Sequence, residues 1–380
     1  MAFLYNAPVR VIAVINQKGG VGKTTTVANL GAALAARGVR ICLVDLDPQA
    51  HLTLHYGIEP GTPKSSVYDV LTAGTDIADA TIAVRDNLWV VPSTIDLAAA
   101  EVELVSTVGR EQILRDQLRA DTPRPYDVVM IDCPPSLGLL TLNSLAAADE
   151  VVIPLQPHFL ALQGLGKLLE TVSLVKRRIN PVLHVSGVVL CMYESNTKLS
   201  GEVLADLRTF FESARPTNAP WSATRIFDSV VRRNVKLAEC PSYGTTIFDY
   251  EPGSRGAEDY AALADEFLAA LKLPVHAADE SPVEDAANAS PVEADADASP
   301  VDEASKAEAV PADPAQEPPA ATADEPHCDS QQVPPSSEAQ RSLGGNPADN
   351  ISSGDAPVIP APACCEQAPT AFAAPDAQPT

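Results

Sequence analysis

From residue 9 onward the chain alternates short apolar, β-branched runs with longer stretches whose apolar positions recur every three or four residues. Residues 11–16, 40–45, 87–92, 126–132, 150–154 and 185–192 carry the continuous apolar pattern of strands buried on both faces. Helical periodicity fills 26–37 (closed by Gly38), 67–71, 98–108, 110–119, the stretch from Gly138 to Ala148, 165–179, 200–213 and 260–271. Turn signals punctuate 52–87 (Gly57, Pro60-Gly61-Thr62-Pro63, Gly74), and 215–223 is a Pro/Asn-rich surface excursion. Strands alternating with helices predict an α/β domain, doubly wound around a mostly parallel sheet, over about residues 9–273.

Composition changes the picture near Pro274. Residues 275–380 hold 20 of the chain's 50 Asp and Glu but only Lys306 and Arg341 among its 26 Lys and Arg, so most of the net charge of −24 belongs to this segment. Ser281-Pro-Val-Glu, Ser290-Pro-Val-Glu and Ser299-Pro-Val-Asp recur within it at a nine-residue spacing, and Phe372 is its one aromatic residue. Such a composition buries too little apolar surface to offset chain entropy, so the expected organisation is a folded domain over 1–274 and a disordered acidic Pro/Ala-rich tail over 275–380. The low pI is then a property of the tail, and a local basic patch on the folded part stays open.

Seven cysteines are scattered without metal-ligand or disulfide-framework spacing, which fits a reducing cytoplasm. Cys42, Cys133 and Cys191 lie in apolar strand contexts as small core residues, whereas the role of Cys364-Cys365 stays open. Met1 to Tyr5 is too short for the apolar core of a signal peptide. No apolar run is long enough to span a bilayer and the tail has no basic amphipathic helix, so no membrane partner is expected.

The candidate chemistry starts where the first strand ends. Gln17-Lys18-Gly19-Gly20-Val21-Gly22-Lys23-Thr24-Thr25 joins that strand to a helix, the context a phosphate-binding loop requires. Glycines let successive N–H groups curl inward, and the helix start adds unpaired donors and a positive dipole end. Lys23 is placed to neutralise the β- and γ-phosphates of ATP, and the Thr24 hydroxyl to hold Mg²⁺. Carboxylates stand at the ends of two further strands. Asp45 and Asp47 follow the second, in Asp45-Leu-Asp47-Pro-Gln, where Asp47 and Pro48 also suit a turn. Asp132 ends the fourth, as the carboxylate of a Walker B strand orders Mg²⁺ through water.

The loop departs from G-x-x-x-x-G-K-[ST], with Gln17 at the first glycine position and a second lysine, Lys18, at its entrance. It resembles the deviant Walker A loop of the ParA/MinD superfamily of dimeric ATPases. Asp45-Leu-Asp47-Pro-Gln also resembles the family's pattern at this position, and Asp132-Cys-Pro-Pro-Ser136 resembles the second switch of the ParA group. The segment from Ile226 to Gly244 resembles the ParA stretch Ile-Pro-Arg-Asn-Val-Arg-Leu-Ala-Glu-Ala-Pro-Ser-Phe-Gly, with Arg232 in place of the proline.

Four motifs in the family's order, covering nearly all of the folded part, identify the chain as a ParA/Soj-type partition ATPase. The resemblance implies an ATP-bound sandwich homodimer in which Lys18 reaches the partner's nucleotide. It implies Lys18, Lys23 and Asp47 as catalytic, with Asp47 orienting water, and Thr24, Asp132 and Asp45 around Mg²⁺. Gly19, Gly20, Val21, Gly22, Lys23, Thr24 and Thr25 would cradle phosphate, and Asn234 would border adenine. Arg233, with Arg232 and Lys236, would grip double-stranded DNA without reading sequence, although solvated arginines fit the same pattern. A ParB-like partner would stimulate hydrolysis and release the protein from the nucleoid.

One further departure, Ala50-His51 where the family often has Gly-Asn, touches the first switch. Cys133 reads as a buried structural thiol and His158 as a packed or solvated side chain. Two rivals stay open: the same ATPase positioning a protein cargo, and a ligase or metal-centre reductase on the same scaffold.

Overall fold

The computed structural model describes residues 9–120, 124–158, 161–194 and 198–276. The tail assigned to 275–380, with its Ser-Pro repeats and Cys364-Cys365, lies outside the described residues apart from Val275 and His276.

Strand β1 (Arg10–Val14) shows why the first apolar run is continuous. Val11 and Ala13, with Ile15 beyond the strand end, enter one core cluster, whereas Ile12 and Val14 enter the other. Alternate side chains point to opposite faces, and both faces are covered. Helix α1 (Lys23–Ala35) follows, then β2 (Ile41–Asp45), α2 (His51–His55), α3 (Val67–Thr72), β3 (Ile82–Arg85) and β4 (Leu88–Val91). Next come α4 (Leu97–Glu103), α5 (Ile113–Arg119), β5 (Val128–Asp132), α6 (Leu139–Ala147), β6 (Glu150–Leu155), α7 (Ala161–Arg178), β7 (His184–Tyr193) and α8 (Lys198–Ala214). Two short strands, β8 (Arg225–Ile226) and β9 (Val231–Arg232), precede α9 (Val235–Glu239), α10 (Ile247–Tyr250) and α11 (Arg255–Leu271).

The sheet runs β3-β4-β2-β5-β1-β6-β7-β8, with β9 also on β7. Every pairing is parallel except β3 with β4. Strand β1 lies between β5 and β6, at the point where connections wind toward opposite edges. Open α/β sheets bind ligands in the crevice beyond the carboxyl ends of strands there. Register sets the chemistry at that crevice: Val14 pairs with Asp132, and Asp132 pairs with Asp45.

Several boundaries differ from the expectation. Helix α1 begins at Lys23 because Gly22, at φ 91°, is its N-cap. Helix α11 begins at Arg255 because the Ser254 side chain accepts from the Ala257 N–H at 3.2 Å. The stretch expected as one helix over 98–108 splits into α4 and a 3₁₀ turn at Leu104–Ser106, leaving Val105 and Val108 exposed. Helix α2 and strand β3 were not foreseen. The strand is four residues long and only partly buried, so its edge pairing carries little apolar signal.

Candidate functional site

The loop between β1 and α1 is tied at its entrance and curled at its end. Asn16 donates from Nδ2 to the Pro154 carbonyl at 2.7 Å and accepts the Lys18 N–H at 3.0 Å, binding the entrance to the end of β6. Gly20 and Gly22 adopt φ of 71° and 91°, left-handed conformations that side-chain-bearing residues resist. Val21 is buried and anchors the turn, while Gly19 and Gly20 are exposed. Lys23 is 7% exposed and folds back, its Nζ donating to the Lys18 carbonyl at 3.5 Å. The first N–H groups of α1, from Lys23 to Thr25, precede its first i→i−4 donor, the Thr26 N–H, which bonds to the Gly22 carbonyl.

Asp132 is fully buried at the end of β5, and neither carboxylate oxygen has a hydrogen-bond partner among the described residues. Desolvation and the Asp45 charge push its carboxyl well above the usual range, while Thr24 and Lys23 pull it down. Two buried, donorless oxygens beside a threonine hydroxyl form a hard-oxygen set that suits a cation such as Mg²⁺. Among the described residues no group of three or more His, Cys, Asp and Glu could hold a metal alone. An ion here would therefore need phosphate and water as further ligands, the usual habit of Mg²⁺.

Asp45 has another arrangement. Its Oδ2 accepts the Thr53 N–H at 2.8 Å and the Thr53 hydroxyl at 2.7 Å, and its Oδ1 accepts the Asp47 N–H at 3.2 Å. Burial raises its carboxyl to about 6 against these donors. The carboxylate expected beside the metal is thus engaged in tying α2 to the turn that carries Asp47. Asp47 accepts the Gln49 N–H at 3.0 Å, and its carbonyl accepts the Ser93 hydroxyl at 2.8 Å. It lines one cavity of about 530 Å³ with Gly19, Gly20, Lys23, Thr24 and Thr25.

A second cavity of about 570 Å³ shares Gly22, Thr25, Met192, Leu237 and Ala238 with the first and continues to Arg232, Asn234 and Tyr260. Asn234 accepts the Lys236 N–H at 2.9 Å and caps α9 along this wall. Met192, Cys191 and Tyr260 escaped sequence reasoning. Met192 sits at φ 50° where the β7–β9 register shifts, and its sequence context carries no signal of that.

The four cations expected at surfaces separate. Lys18 is exposed at the loop entrance, its ammonium against the His158 imidazole. Burial and the Lys18 charge lower the His158 pKa. Arg233 is 70% exposed, with Glu194 at 3.9 Å. Lys236 bonds Glu239 at 2.9 Å and lies over the Tyr250 ring. Arg232 is paired: its backbone N–H and guanidinium both engage Asp259, while its side chain is 40% exposed.

The cysteines follow their strands. Cys42, Cys133 and Cys191 are buried, with the Cys133 thiol 2.9 Å from the Ser144 hydroxyl. Burial pushes all three thiols up to about 12.

Comparison with known proteins gives a consistent result. A family model described as "AAA domain" matches residues 9–185. The sporulation initiation inhibitor protein Soj of Bacillus subtilis is 46% identical over 261 residues, covering 68% of this chain and 98% of that protein. The chromosome partitioning protein ParA of Caulobacter vibrioides is 42% identical over 263 residues, covering 69% of this chain and 94% of the relative. A crystal structure of Mycobacterium smegmatis cobyrinic acid a,c-diamide synthase with bound ATP analog and magnesium is 38% identical, with a TM-score of 0.58, covering 71% of this chain and all of that one. The chain belongs to the ParA/Soj family of partitioning ATPases within the P-loop superfamily.

Proposed function

We propose that the protein hydrolyses ATP and uses the nucleotide state to hold and release DNA during chromosome or plasmid segregation. The observation that carries this reading is the convergence of Lys23, Thr24 and Asp47 in one cavity, with the donorless Asp132 carboxylate beside Thr24. Loop N–H groups from Gly19 to Thr25 and the Lys23 ammonium would bind the phosphates. The Thr24 hydroxyl and Asp132 would hold Mg²⁺, which when bound neutralises phosphate charge during transfer to water. Asp47, fixed through Asp45, Gln49 and Ser93, would orient that water. Asn234 would border the adenine from the second cavity.

Two subunits would close face to face over the nucleotides, with Lys18 leaving His158 to reach its partner's phosphates. Arg233, exposed as it is, would add phosphate-backbone contact without base reading. A ParB-like partner would accelerate hydrolysis and return the protein from the nucleoid to the cytoplasm. Relatives named for chromosome partitioning support DNA as cargo. The structural relative is named for a synthase on the same scaffold, so the test must separate the two.

ATP turnover of the purified protein with and without non-specific duplex DNA makes that separation. Turnover should rise with DNA and fall by roughly 10²–10³ in Lys23→Ala. In Arg233→Ala, ATP-dependent DNA binding should weaken, with a salt slope smaller by about one. Hydrolysis indifferent to DNA, with no ATP-dependent DNA binding at low salt, would defeat the DNA half and favour a protein-cargo or metabolic role.

A further inference from the structure

Resting on the ATP-site reading above, we propose that Arg232 and Asp259 form a positioning clamp that presets the wall of the base pocket and so sets nucleotide affinity. The relevant wall runs from β9 into α9, residues 231–238, and α11 packs behind it. Two contacts fasten wall to helix. At one, Gly256 of α11 lies so close that a Cβ there would stand 2.9 Å from both Asn234 Nδ2 and Leu237 Cγ. At the other, Asp259, 7% exposed, accepts the Arg232 backbone N–H on Oδ2 at 2.9 Å and the Arg232 Nε–H on Oδ1 at 2.9 Å.

Guanidinium and N–H together satisfy a nearly buried carboxylate with charge-assisted, near-bidentate bonds, the geometry in which arginine fixes orientation best. A proline at this position would have no N–H to give. In this chain the same step is held by side chain and main chain at once. Tyr260, the next residue after Asp259, lines the pocket and its hydroxyl lies 3.2 Å from that of Thr26 in α1. The clamp therefore registers the pocket wall against the helix whose N-terminus faces the phosphates. The cavity it borders is mostly apolar, lined by Val231, Val235, Leu237 and Ala238, and suits a flat heterocycle. Arg232 acts through the wall and touches no reacting atom.

The test uses the full chain with Mg²⁺ and two ligands, ATP and inorganic tripolyphosphate, which meets only the phosphate loop. In Arg232→Gln and Asp259→Asn the ATP dissociation constant should rise about 5- to 20-fold, equivalent to roughly 1–2 kcal/mol. Tripolyphosphate affinity should stay within twofold. The double variant should be no weaker than the worse single, because the two residues act as one unit. Arg232→Lys should recover part of the affinity, and it keeps the proposal testable if Asp259 variants fold poorly.

Equal loss of ATP and tripolyphosphate binding would reveal a general structural role and overturn the clamp. So would unchanged ATP affinity with a shallower salt dependence of DNA binding, which would return Arg232 to the DNA surface. Wild-type protein that binds no ATP would defeat the ATP-site reading itself. Wild-type binding with unshifted variants would defeat the clamp alone.

Discussion

Ala50 holds φ 54°, ψ 31° at the N-cap of α2, the left-handed region that a Cβ disfavours by roughly 1–2 kcal/mol. An alanine here therefore has a backbone cost, and the turn keeps its course through the Asp45–Thr53 and Asp47–Gln49 bonds. Ala50→Gly should raise stability by about 1 kcal/mol, less the entropy glycine adds to the unfolded chain. Urea unfolding with an unchanged m-value would measure it, and a destabilised variant would contradict the strain. His55 closes the same helix, fully buried with both ring nitrogens lacking partners among the described residues. Burial and then the Arg85 charge lower its pKa from 6.5 to about 4. The unfolded chain therefore binds a proton that the folded chain refuses between pH 6.5 and 4. Stability from this group is complete above 6.5 and declines by up to about 3 kcal/mol as pH falls through 4. His55→Leu should flatten that acid limb in denaturant titrations at pH 7 and pH 4.5, whereas equal pH slopes would remove the assignment.

At the scale of elements, what was legible followed from local demands. The phosphate loop announced itself because its curl needs glycine at 20 and 22 between a buried strand and a helix. Strand-end carboxylates were legible because apolar runs that stop at aspartate have few other reasons to do so. The base-pocket wall was not. Met192, Tyr260 and the Arg232–Asp259 pair meet only through long-range packing, and a charged residue shows nothing of a partner on a distant helix. Strand β7 gives a sharper case. Gly187 interrupts its apolar run because a Cβ there would collide with the Phe227 ring. Phe227 is 1% exposed and stacked on Phe267 of α11 at 5.4 Å, so its ring has nowhere to retreat. Gly187→Ala should cost about 1–3 kcal/mol as overpacking, read as a lower urea midpoint. A neutral result would mean that the two rings shift together.

For the whole molecule, the folded unit holds the chain slightly past the boundary that composition marks. Acid and proline dominate from 275, but Leu273 is buried and the His276 N–H donates to the Gly38 carbonyl at 2.8 Å. The His276 imidazole also lies 2.6 Å from Asp127, which Arg40 engages from the other side. Composition could not locate this strap, because its last residues already resemble the tail. A chain ending at 276 should melt with the full-length protein. One ending at 272 should lose about 2 kcal/mol of buried apolar contact and melt roughly 4–8 °C lower. Removing 277–380 also takes away most of the net charge of −24, which opposes the approach of DNA phosphates. The chain ending at 276 should therefore bind duplex DNA more tightly than the full chain at low ionic strength, in the presence of ATP and Mg²⁺. The two should converge as salt shortens the screening length to about 8–10 Å. Identical affinities and salt slopes would show that the acidic segment leaves DNA binding untouched, whereas a gap that persists at high salt would indicate a direct contact between tail and folded unit.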